Sequence, residues 1–282
     1  MKPFLKWAGG KRQLIPYIKE FVTNDKIGDN RYFEPFLGGG SVFFELKHNY
    51  CIINDLNSEI INAYMVIKDN VNDLITKLKE HASRHCKDYY YYIRSLDRDP
   101  YLYGSMTDVE KAARTIYLNR TCYNGLYRVN KNGYFNTPIG RYVNPLICDE
   151  NNLIEISNYL NTNKIKILSE DFVETTKTAK TGDWVYFDPP YDYEISGFVN
   201  YVKEGFTHDD LIRLKKTCDR LISKGCFVLI SNNDTKFVRE LFNESDNYEI
   251  VYSTKTIKAN RNINSKKERK KVDEVLIYGR KK

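Results

Sequence analysis

The sequence lacks any apolar run that approaches the roughly 20 residues of a membrane-spanning helix. Its opening segment, Met1–Trp7, has too few successive apolar side chains for the apolar region of a signal peptide. From these two absences we expect neither a membrane-spanning protein nor a secreted one. They predict a soluble protein of the cytoplasm.

Metal-ligand patterns are also missing. None of the six cysteines belongs to a C-x-x-C pair or stands at zinc-ligand spacing, and the four histidines are scattered. The cysteines are Cys51, Cys86, Cys122, Cys148, Cys218 and Cys226. The pattern predicts no metal site, and free thiols in a reducing compartment rather than a disulfide framework.

Excess basic charge is absent from most of the chain. The net charge is +7, but positions 255–282 contain eleven Lys or Arg and three Asp or Glu. That stretch therefore carries +8, and the remainder sums to −1. A localised basic excess is typical of a surface that binds a polyanion. A solvated charge run explains the same pattern about equally well, so charge alone does not decide.

The sequence does contain alternating strand and helix patterns. Its 41% apolar residues are typical of a globular protein with a hydrophobic core. Short apolar segments predict strands at 30–36, 51–53, 165–168, 184–187, 227–230 and 272–278. Helical spacing covers 14–22, and a second helix begins at the cap signature of Thr207 and Asp210. This alternation predicts an α/β fold with a doubly wound, mostly parallel sheet that places ligands beyond its carboxyl strand ends.

The middle of the chain does not alternate in this way. It has helical stripes, such as that from Val109 to Tyr117, followed by a loop-rich run at 119–141. We expect residues 58–164 to form an inserted, mainly helical subdomain, and residues 1–57 and 165–282 to form the core.

A glycine cluster at 38–40 follows the first predicted strand, inside the segment Phe33–Ser41. Glycines at a strand end let the backbone approach a ligand where a Cβ would collide. Asp55 ends the next predicted strand, where a carboxylate can accept both hydroxyls of a ribose. The combination predicts a nucleoside site, although a tight turn explains the glycines alone about as well. The cluster is not G-x-G-x-x-G, which disfavours a dinucleotide.

The tetrapeptide Asp188-Pro189-Pro190-Tyr191 follows the apolar strand pattern at 184–187. Paired prolines hold a rigid turn, because they fix φ and lack an N–H group. A carboxylate and a carbonyl held together can accept both hydrogens of an exocyclic amino group, and Tyr191 offers a face on which a base can stack. A bare Pro-Pro would indicate only a turn, but the flanking Asp and Tyr favour a functional site.

Four segments in this order resemble the Dam-type DNA adenine-N6 methyltransferases, members of the α group of amino-methyltransferases that includes enzymes methylating GATC. They are Phe4–Lys11, Phe33–Ser41, Asn119–Arg128 and Asp188–Tyr191. The first segment identifies nothing by itself, since Trp7 fits a core and Lys11 fits a surface. The resemblance extends over nearly the whole chain, to residues 270–274, and implies the fold of S-adenosylmethionine-dependent methyltransferases.

The resemblance implies S-adenosylmethionine as the methyl donor, released as S-adenosylhomocysteine, and no metal. It assigns cofactor binding to Trp7, Lys11, Gly38, Gly40, Asp55 on the ribose, Asp171 and Phe172 on the cofactor adenine, and Asp188. It assigns catalysis to Asp188, Pro189, Pro190 and Tyr191.

The resemblance also implies that the middle subdomain recognises double-stranded DNA. Arg128 is the candidate for a bidentate contact to guanine. The DNA-binding residues that it assigns are Lys6, Tyr123, Asn124, Leu126, Arg128, Pro138, Arg141, Lys266, Lys267 and Lys270. The segment from Lys255 to Lys271 is expected to be a hairpin that contacts phosphates. Thr121-Cys122 and 257–271 depart from the family's pattern, which leaves flanking-base preference open.

The implied reaction is methyl transfer to N6 of an adenine flipped out of the duplex, within GATC, in a bacterial or phage-infected cell. No cysteine follows a proline, so the nucleophile of cytosine-C5 methylation is missing. Three alternatives stay open: an N4-cytosine methyltransferase, which commonly has Ser in place of Asp188, a DNA-binding protein without activity, and a metabolic enzyme that binds a nucleoside. No membrane or obligate protein partner is expected. A restriction, phage or housekeeping role is not decided.

Overall fold

The computed structural model describes residues 1–7, 11–192, 206–243, 248–259 and 272–282. The strands are β1 Tyr32–Glu34, β2 Tyr50–Asn54, β3 Lys164–Leu168, β4 Trp184–Phe187, β5 Phe227–Asn233, β6 Ile250–Ala259 and β7 Val272–Lys281. The α-helices are α1 Ile15–Phe21, α2 Asn24–Ile27, α3 Ser41–Leu46, α4 Ser58–Asp69, α5 Val71–Ser83, α6 Lys87–Ser95, α7 Pro100–Ser105, α8 Asp108–Thr121, α9 Glu150–Thr162, α10 Phe172–Thr175, α11 His208–Ser223 and α12 Lys236–Asn243. Strands thus alternate with helices at both ends of the chain, as an α/β fold requires.

The strands form one sheet in the order β3-β2-β1-β4-β5-β7-β6. Strand β1 pairs in parallel with both β2 and β4, and β4 pairs in parallel with β5. Strand β7 lies antiparallel between β5 and β6. The predicted α/β class and mostly parallel sheet are therefore confirmed. The strand order reverses between β1 and β4, and such a switch point is where open α/β sheets bind ligands.

The central strands of this sheet are buried along their whole length. Every residue of β1 and of β4 is buried, because parallel strands have both faces covered. The ring of Trp184 on β4 stacks on that of Phe227 on β5, with 4.5 Å between centroids. A continuous apolar run such as 184–187, rather than an alternating one, is the pattern that this double burial produces.

The chain divides into two compact units. The first contains residues 1–11, 38–45 and 55–169, and the second contains residues 12–37, 46–54 and 170–282. Helices α4 to α9 belong to the first unit, and strands β1, β2 and β4 to β7 belong to the second. The expected boundaries of the helical insert, 58–164, stay a prediction.

Helix α8 is the central helix of the first unit and packs against α4, α5 and α6. Thr107 caps its start in a reciprocal capping box with Glu110. Arg114 on this helix is buried, in an ion pair with Asp97 at 2.8 Å and a hydrogen bond to the carbonyl of Ile93 at 3.0 Å. A buried guanidinium needs such partners, so Arg114 ties α8 to the segment that follows α6.

The helix predicted from Thr207 is confirmed as α11 in the second unit. The Thr207 hydroxyl accepts the Asp210 N–H at 3.2 Å, and the Asp210 carboxylate accepts the Thr207 N–H at 2.9 Å. Its apolar stripe, with Leu211, Leu214 and Leu221 among its members, is buried. The capping box and the 3.6-residue spacing therefore predicted both where the helix begins and which face it buries.

Parts of the second unit differ from the sequence predictions. Helix α12, Lys236–Asn243, was not predicted, and strand β6, Ile250–Ala259, begins five residues before the hairpin predicted from Lys255. Strand β5 continues three residues beyond its predicted end. Those three residues, 231–233, are polar and buried. Polar residues normally mark the end of a strand, but here the antiparallel partner β7 extends the ladder as far as Asn233.

The described residues contain no candidate membrane helix, no disulfide and no candidate metal cluster. Among the described residues, no helix has both the length and the apolar character needed to cross a membrane. All six cysteines are free thiols. In the same ranges, no three His, Cys, Asp or Glu side chains are grouped so that they could hold a metal ion.

Candidate active site

The glycine turn of the first unit, residues 38–40, leaves no space for a side chain at two positions. Gly38 has a φ of +50° and Gly40 a φ of +70°, which favours glycine. A Cβ on Gly38 would lie 2.6 Å from Nε1 of Trp7, and one on Gly40 would lie 2.5 Å from the hydroxyl oxygen of Tyr64. Backbone conformation and close packing therefore both require glycine here.

Asp55 holds this turn through its carboxylate. Its Oδ2 accepts the N–H of Gly38 at 2.8 Å, and its Oδ1 accepts the N–H of Asn57 at 2.9 Å. Burial raises the pKa of Asp55, and the bonds from Asn57 and Gly38 oppose that rise. Each carboxylate oxygen can accept more than one hydrogen bond. Asp55 therefore combines a structural role with the capacity to accept hydroxyl donors from a ligand.

Trp7 and Lys11, two predicted cofactor residues, belong to the same unit. The Trp7 ring lies against the glycine turn and 5.7 Å from the ring of Tyr127, measured between centroids. Lys11 is 5% exposed, which is unusual for lysine. The structure thus brings Trp7, Gly38 and Asp55 together through direct contacts.

The tetrapeptide 188–191 lies at the carboxyl end of β4 in the second unit. Asp188 and Tyr191 are half-buried, Pro189 is buried and Pro190 is exposed. Oδ1 of Asp188 accepts a hydrogen bond from the Ser231 hydroxyl at 2.7 Å. The Asp188 carboxylate is therefore hydrogen-bonded to the carboxyl end of β5, the strand next to β4.

The other end of the tetrapeptide is attached as well. The Tyr191 hydroxyl donates to Oε2 of Glu274 at 3.3 Å. The N–H of Asp192 donates to Oδ1 of Asn232 at 2.9 Å, and the Thr235 hydroxyl donates to Oδ2 of Asp192 at 2.6 Å. Sequence reasoning missed Ser231, Asn232 and Glu274 as neighbours of residues 188–191, a turn that we call the corner. The only signal was the run of polar residues after the fifth predicted strand.

Asp171 and Phe172 stand at the start of α10. Oδ1 of Asp171 accepts the N–H of Val173 at 2.9 Å, which caps the helix, and Oδ2 pairs with Arg213. Phe172 is 2% exposed and packs in an aromatic cluster with Phe36, Phe187 and Phe206. The Arg213 guanidinium lies 4.7 Å from its ring centroid. Contact of this pair with a cofactor adenine stays a prediction.

The predicted recognition residues of the first unit lie on a short hairpin after α8. The N–H of Tyr123 donates to the carbonyl of Pro138 at 2.9 Å, and the N–H of Asn136 donates to the carbonyl of Arg128 at 2.9 Å. Five of the predicted DNA-binding side chains are exposed and Leu126 is half-buried; the exposed ones are Tyr123, Asn124, Arg128, Pro138 and Arg141. The hairpin therefore presents a polar, aromatic and cationic surface on a bonded frame.

Lys6 is fixed beside this hairpin. Its N–H donates to Oδ1 of Asn119 at 2.7 Å, and the amide of Asn119 donates back to the carbonyl of Lys6 at 2.7 Å. The Lys6 ammonium lies 3.8 Å from the centroid of the Tyr142 ring, a cation–π contact. The structure thus brings Lys6 to the recognition hairpin. Lys266, Lys267 and Lys270 lie outside the described residues.

The fold and the first-unit geometry together define a class of protein. A parallel α/β sheet with a close-packed glycine turn, bonded to a carboxylate after the next strand, is typical of proteins that bind nucleosides. Comparison with known proteins narrows this class. Residues 7–263 match the family described as D12 class N6 adenine-specific DNA methyltransferase, and the chain belongs to this family.

Three relatives are similar over nearly their full lengths. Type II methyltransferase M1.LlaDCHI of Lactococcus lactis subsp. cremoris is 44% identical, and the alignment covers 99% of this chain and 96% of the relative. Type II methyltransferase M.MjaIII of Methanocaldococcus jannaschii is 38% identical, with 98% of each chain covered. A DNA adenine methylase of Serratia marcescens is 33% identical, with 99% of this chain and 98% of the relative covered.

Family membership decides among the alternatives that the sequence left open. The protein is an adenine-specific N6 DNA methyltransferase, so the resemblance drawn from the four motifs is confirmed. We therefore set aside three hypotheses: an N4-cytosine methyltransferase, an inactive DNA-binding protein and a metabolic enzyme. The roles of individual site residues stay predictions.

Proposed function

We propose that this enzyme methylates an adenine turned out of duplex DNA, within GATC, with S-adenosylmethionine as the methyl donor. The observation that carries the proposal is the anchored corner at 188–191, where a half-buried carboxylate and a proline carbonyl follow a central parallel strand. Consecutive acceptors on a fixed backbone match the two N–H donors of an exocyclic amine.

Asp188 and Pro189 would act on the geometry of that amine. The N6 lone pair of adenine is delocalised into the ring, which makes the nitrogen a poor nucleophile. Hydrogen bonds from both N–H groups to the Asp188 carboxylate and the Pro189 carbonyl favour a pyramidal nitrogen with a localised lone pair. Because prolines fix φ at 189 and 190, these acceptors need little reorganisation during the reaction. The protein then accelerates methyl transfer mainly by positioning the amine, and no covalent bond to the protein forms.

The first-unit residues fit the proposed cofactor. The turn at Gly38 and Gly40 offers backbone where no Cβ can stand, and Asp55 can accept two hydroxyl donors beside it. When bound, S-adenosylmethionine supplies a methyl group on a sulfonium sulfur. Trp7 and Lys11 complete the proposed first-unit set; Asp171, Phe172 and Asp188 form the second-unit set.

Tyr191 would hold the extruded base. Extrusion costs a few kcal/mol, and stacking of a base on an aromatic ring contributes roughly 1–3 kcal/mol. Tyr191 is half-buried and its hydroxyl bonds to Glu274, which restrains the ring without covering it completely. A restrained ring loses less conformational entropy when a base stacks on it. Tyr191 can therefore offset much of the extrusion cost.

The recognition hairpin would read the bases. Arg128 is exposed, and its guanidinium can donate two parallel hydrogen bonds to O6 and N7 of a guanine. Tyr123 and Leu126 present apolar surface that can enter between base steps, and Lys6 lies beside them. GATC follows from the resemblance to Dam-type enzymes, and the exposed arginine supports a guanine contact within it.

Phosphate binding would come from basic residues that do not read sequence. Lys266, Lys267 and Lys270 are the proposed contacts, in the stretch that carries the net positive charge of the chain. Such contacts set affinity and its salt dependence and carry little sequence information.

The role of the tetrapeptide is tested by Asp188→Ala. Turnover of a GATC duplex is expected to fall by at least about 10²- to 10³-fold, the usual cost of losing one preorganised hydrogen-bonding partner, while DNA binding is retained. Asp209→Ala, an exposed carboxylate of α11 in the same unit, is the matched control and should turn over normally. Near-native turnover by Asp188→Ala would discard the assigned role.

The target site is tested in living cells. The gene would be expressed in methylase-deficient bacteria and N6-methyladenine mapped across the genome by single-molecule sequencing. Methylation confined to GATC is expected. A different adenine-containing motif would refute the GATC assignment and leave the enzyme class intact.

A further inference from the structure

The last residues of β5 contact both ends of the catalytic tetrapeptide. Ser231 and Asn232 are consecutive and each is 0% exposed. Ser231 donates to the carboxylate of Asp188, which begins the tetrapeptide. Asn232 accepts from the N–H of Asp192, the residue directly after it. Two neighbouring side chains of one strand therefore span the whole corner.

The hydrogen bond at Ser231 belongs to a chain that starts on β4. The Tyr186 hydroxyl lies 2.9 Å from the Ser231 oxygen. Burial raises the pKa of Tyr186 well above its ordinary value, so this hydroxyl stays protonated. Serine has a single hydrogen, which it gives to Asp188, and it can then only accept from Tyr186. The direction is thus Tyr186 to Ser231 to Asp188, and each bond in the chain polarises the next.

Asn232 has an unusual hydrogen-bonding balance for a buried side chain. Its Oδ1 accepts two backbone N–H groups, from Asp192 at 2.9 Å and from Asn233 at 2.8 Å. Its Nδ2 is buried and has no hydrogen-bond partner in the described part of the chain. An unpaired buried donor destabilises a fold. Asparagine at this position therefore leaves one donor unpaired, while its Oδ1 holds the peptide that follows Tyr191.

We infer that Ser231, together with Tyr186, and Asn232 are positioning residues of the methyl-transfer reaction. Ser231 sets the plane of the Asp188 carboxylate, and Asn232 fixes the backbone beyond the two prolines. The two adjacent prolines make the tetrapeptide stiff. Fixing Asp188 at one end and Asp192 after the other end therefore also fixes the Pro189 carbonyl. The inference rests on the proposed role of the tetrapeptide as the acceptor pair for the adenine amine.

The decisive experiment separates positioning from stability. Ser231→Ala leaves the buried Tyr186 hydroxyl without its partner and should lower both stability and turnover. The double variant Ser231→Ala with Tyr186→Phe removes both partners, and replacing both with apolar groups can be nearly neutral for stability. The double variant should therefore regain its melting temperature, while its kcat stays about 10- to 100-fold low, the scale of a misplaced reacting group.

Binding and coupling measurements complete the test. Affinity for a duplex with 2-aminopurine at the target position, and the fluorescence gain on its extrusion, should stay within about twofold of wild type. Tyr186→Phe alone should lower kcat. The effects of Tyr186→Phe and Ser231→Ala on kcat should be strongly non-additive, because the two residues belong to one series of linked hydrogen bonds. Tyr252→Phe removes another hydroxyl bonded to a carboxylate, in this case on a half-buried tyrosine that donates to Asp219 at 2.7 Å, and should leave kcat unchanged.

Each outcome bears on one claim. If the double variant regains both stability and turnover, Ser231 has only a structural role and the inference is overturned. The same holds if Ser231→Ala turns over within twofold of wild type while Asp188→Ala is inactive. If Asp188→Ala itself retains turnover, the proposed function of the tetrapeptide fails, and that failure is recognised from this variant alone.

Discussion

Gly38→Ala should disrupt the proposed cofactor site of the first unit through a steric cost. Two terms contribute. Placing alanine at φ +50° costs about 1–2 kcal/mol. The added Cβ would also lie 2.6 Å from Nε1 of Trp7, so the ring must move, and overpacking of this kind costs roughly 1–3 kcal/mol. The expected loss in the free energy of unfolding is therefore roughly 2–5 kcal/mol.

Gly28 provides a matched control because it has a φ of +56° and would meet nothing within 4 Å of an added Cβ. Gly28→Ala should therefore lose only the roughly 1–2 kcal/mol of the backbone term. Urea unfolding of both variants isolates the Trp7 contact as the difference, and calorimetric titration with S-adenosylmethionine should show weaker binding for Gly38→Ala alone. Equal unfolding losses would refute the packing argument. An unchanged dissociation constant would remove the glycine turn from the cofactor site.

Three further predictions concern pH, specificity and salt. Because burial raises the pKa of Asp55, its carboxylate protonates at a higher pH than an ordinary aspartate does; affinity for S-adenosylmethionine should then fall as pH drops through that raised value, and Asp55→Asn should abolish this dependence in titrations across acidic pH. Arg128→Ala should cost about 1–3 kcal/mol at the guanine that it is proposed to contact and relax the preference at that base, measured as kcat/KM on duplexes with single substitutions in the proposed GATC site; unchanged discrimination would move the contact elsewhere. Replacing Lys266, Lys267 and Lys270 by alanine should make the slope of log affinity against log salt concentration shallower by roughly 2–3, without changing the methylated sequence; a shifted site preference would contradict a phosphate-only role.

Features set by neighbouring residues could be predicted from the sequence. The strand at 184–187 is a continuous apolar run because both of its faces are covered. The glycines at 38–40 indicate a backbone that packs closely against other groups, which in the structure are Trp7 and Tyr64. Capping at Thr207 predicted the start of α11 for the same reason, since its partner Asp210 is only three residues away. In each case the physical cause lies within a few positions of its effect.

Contacts between distant positions could not be predicted in this way. Ser231 bonds to a carboxylate 43 positions earlier in the chain, and Glu274 bonds to a tyrosine 83 positions earlier. The first half of strand β6, before the hairpin predicted from Lys255, was not predicted because its pairing with β7 joins residues that are distant in the chain. The pattern showed polar residues after a buried strand, but not which groups they would bond to.

The N-terminal motif illustrates how a segment can matter without chemistry of its own. Lys6 is bonded in both directions to Asn119, whose amide also donates to the carbonyl of Gly125 in the recognition hairpin at 3.1 Å. The next residue, Trp7, lies against Gly38, the first glycine of the turn that Asp55 holds. Consecutive residues therefore support the proposed DNA-reading loop and the proposed cofactor turn of the first unit. A displacement of the hairpin would act through these bonds on the backbone of Lys6, whose neighbour Trp7 fills the space beside Gly38. The two proposed sites thus share one support.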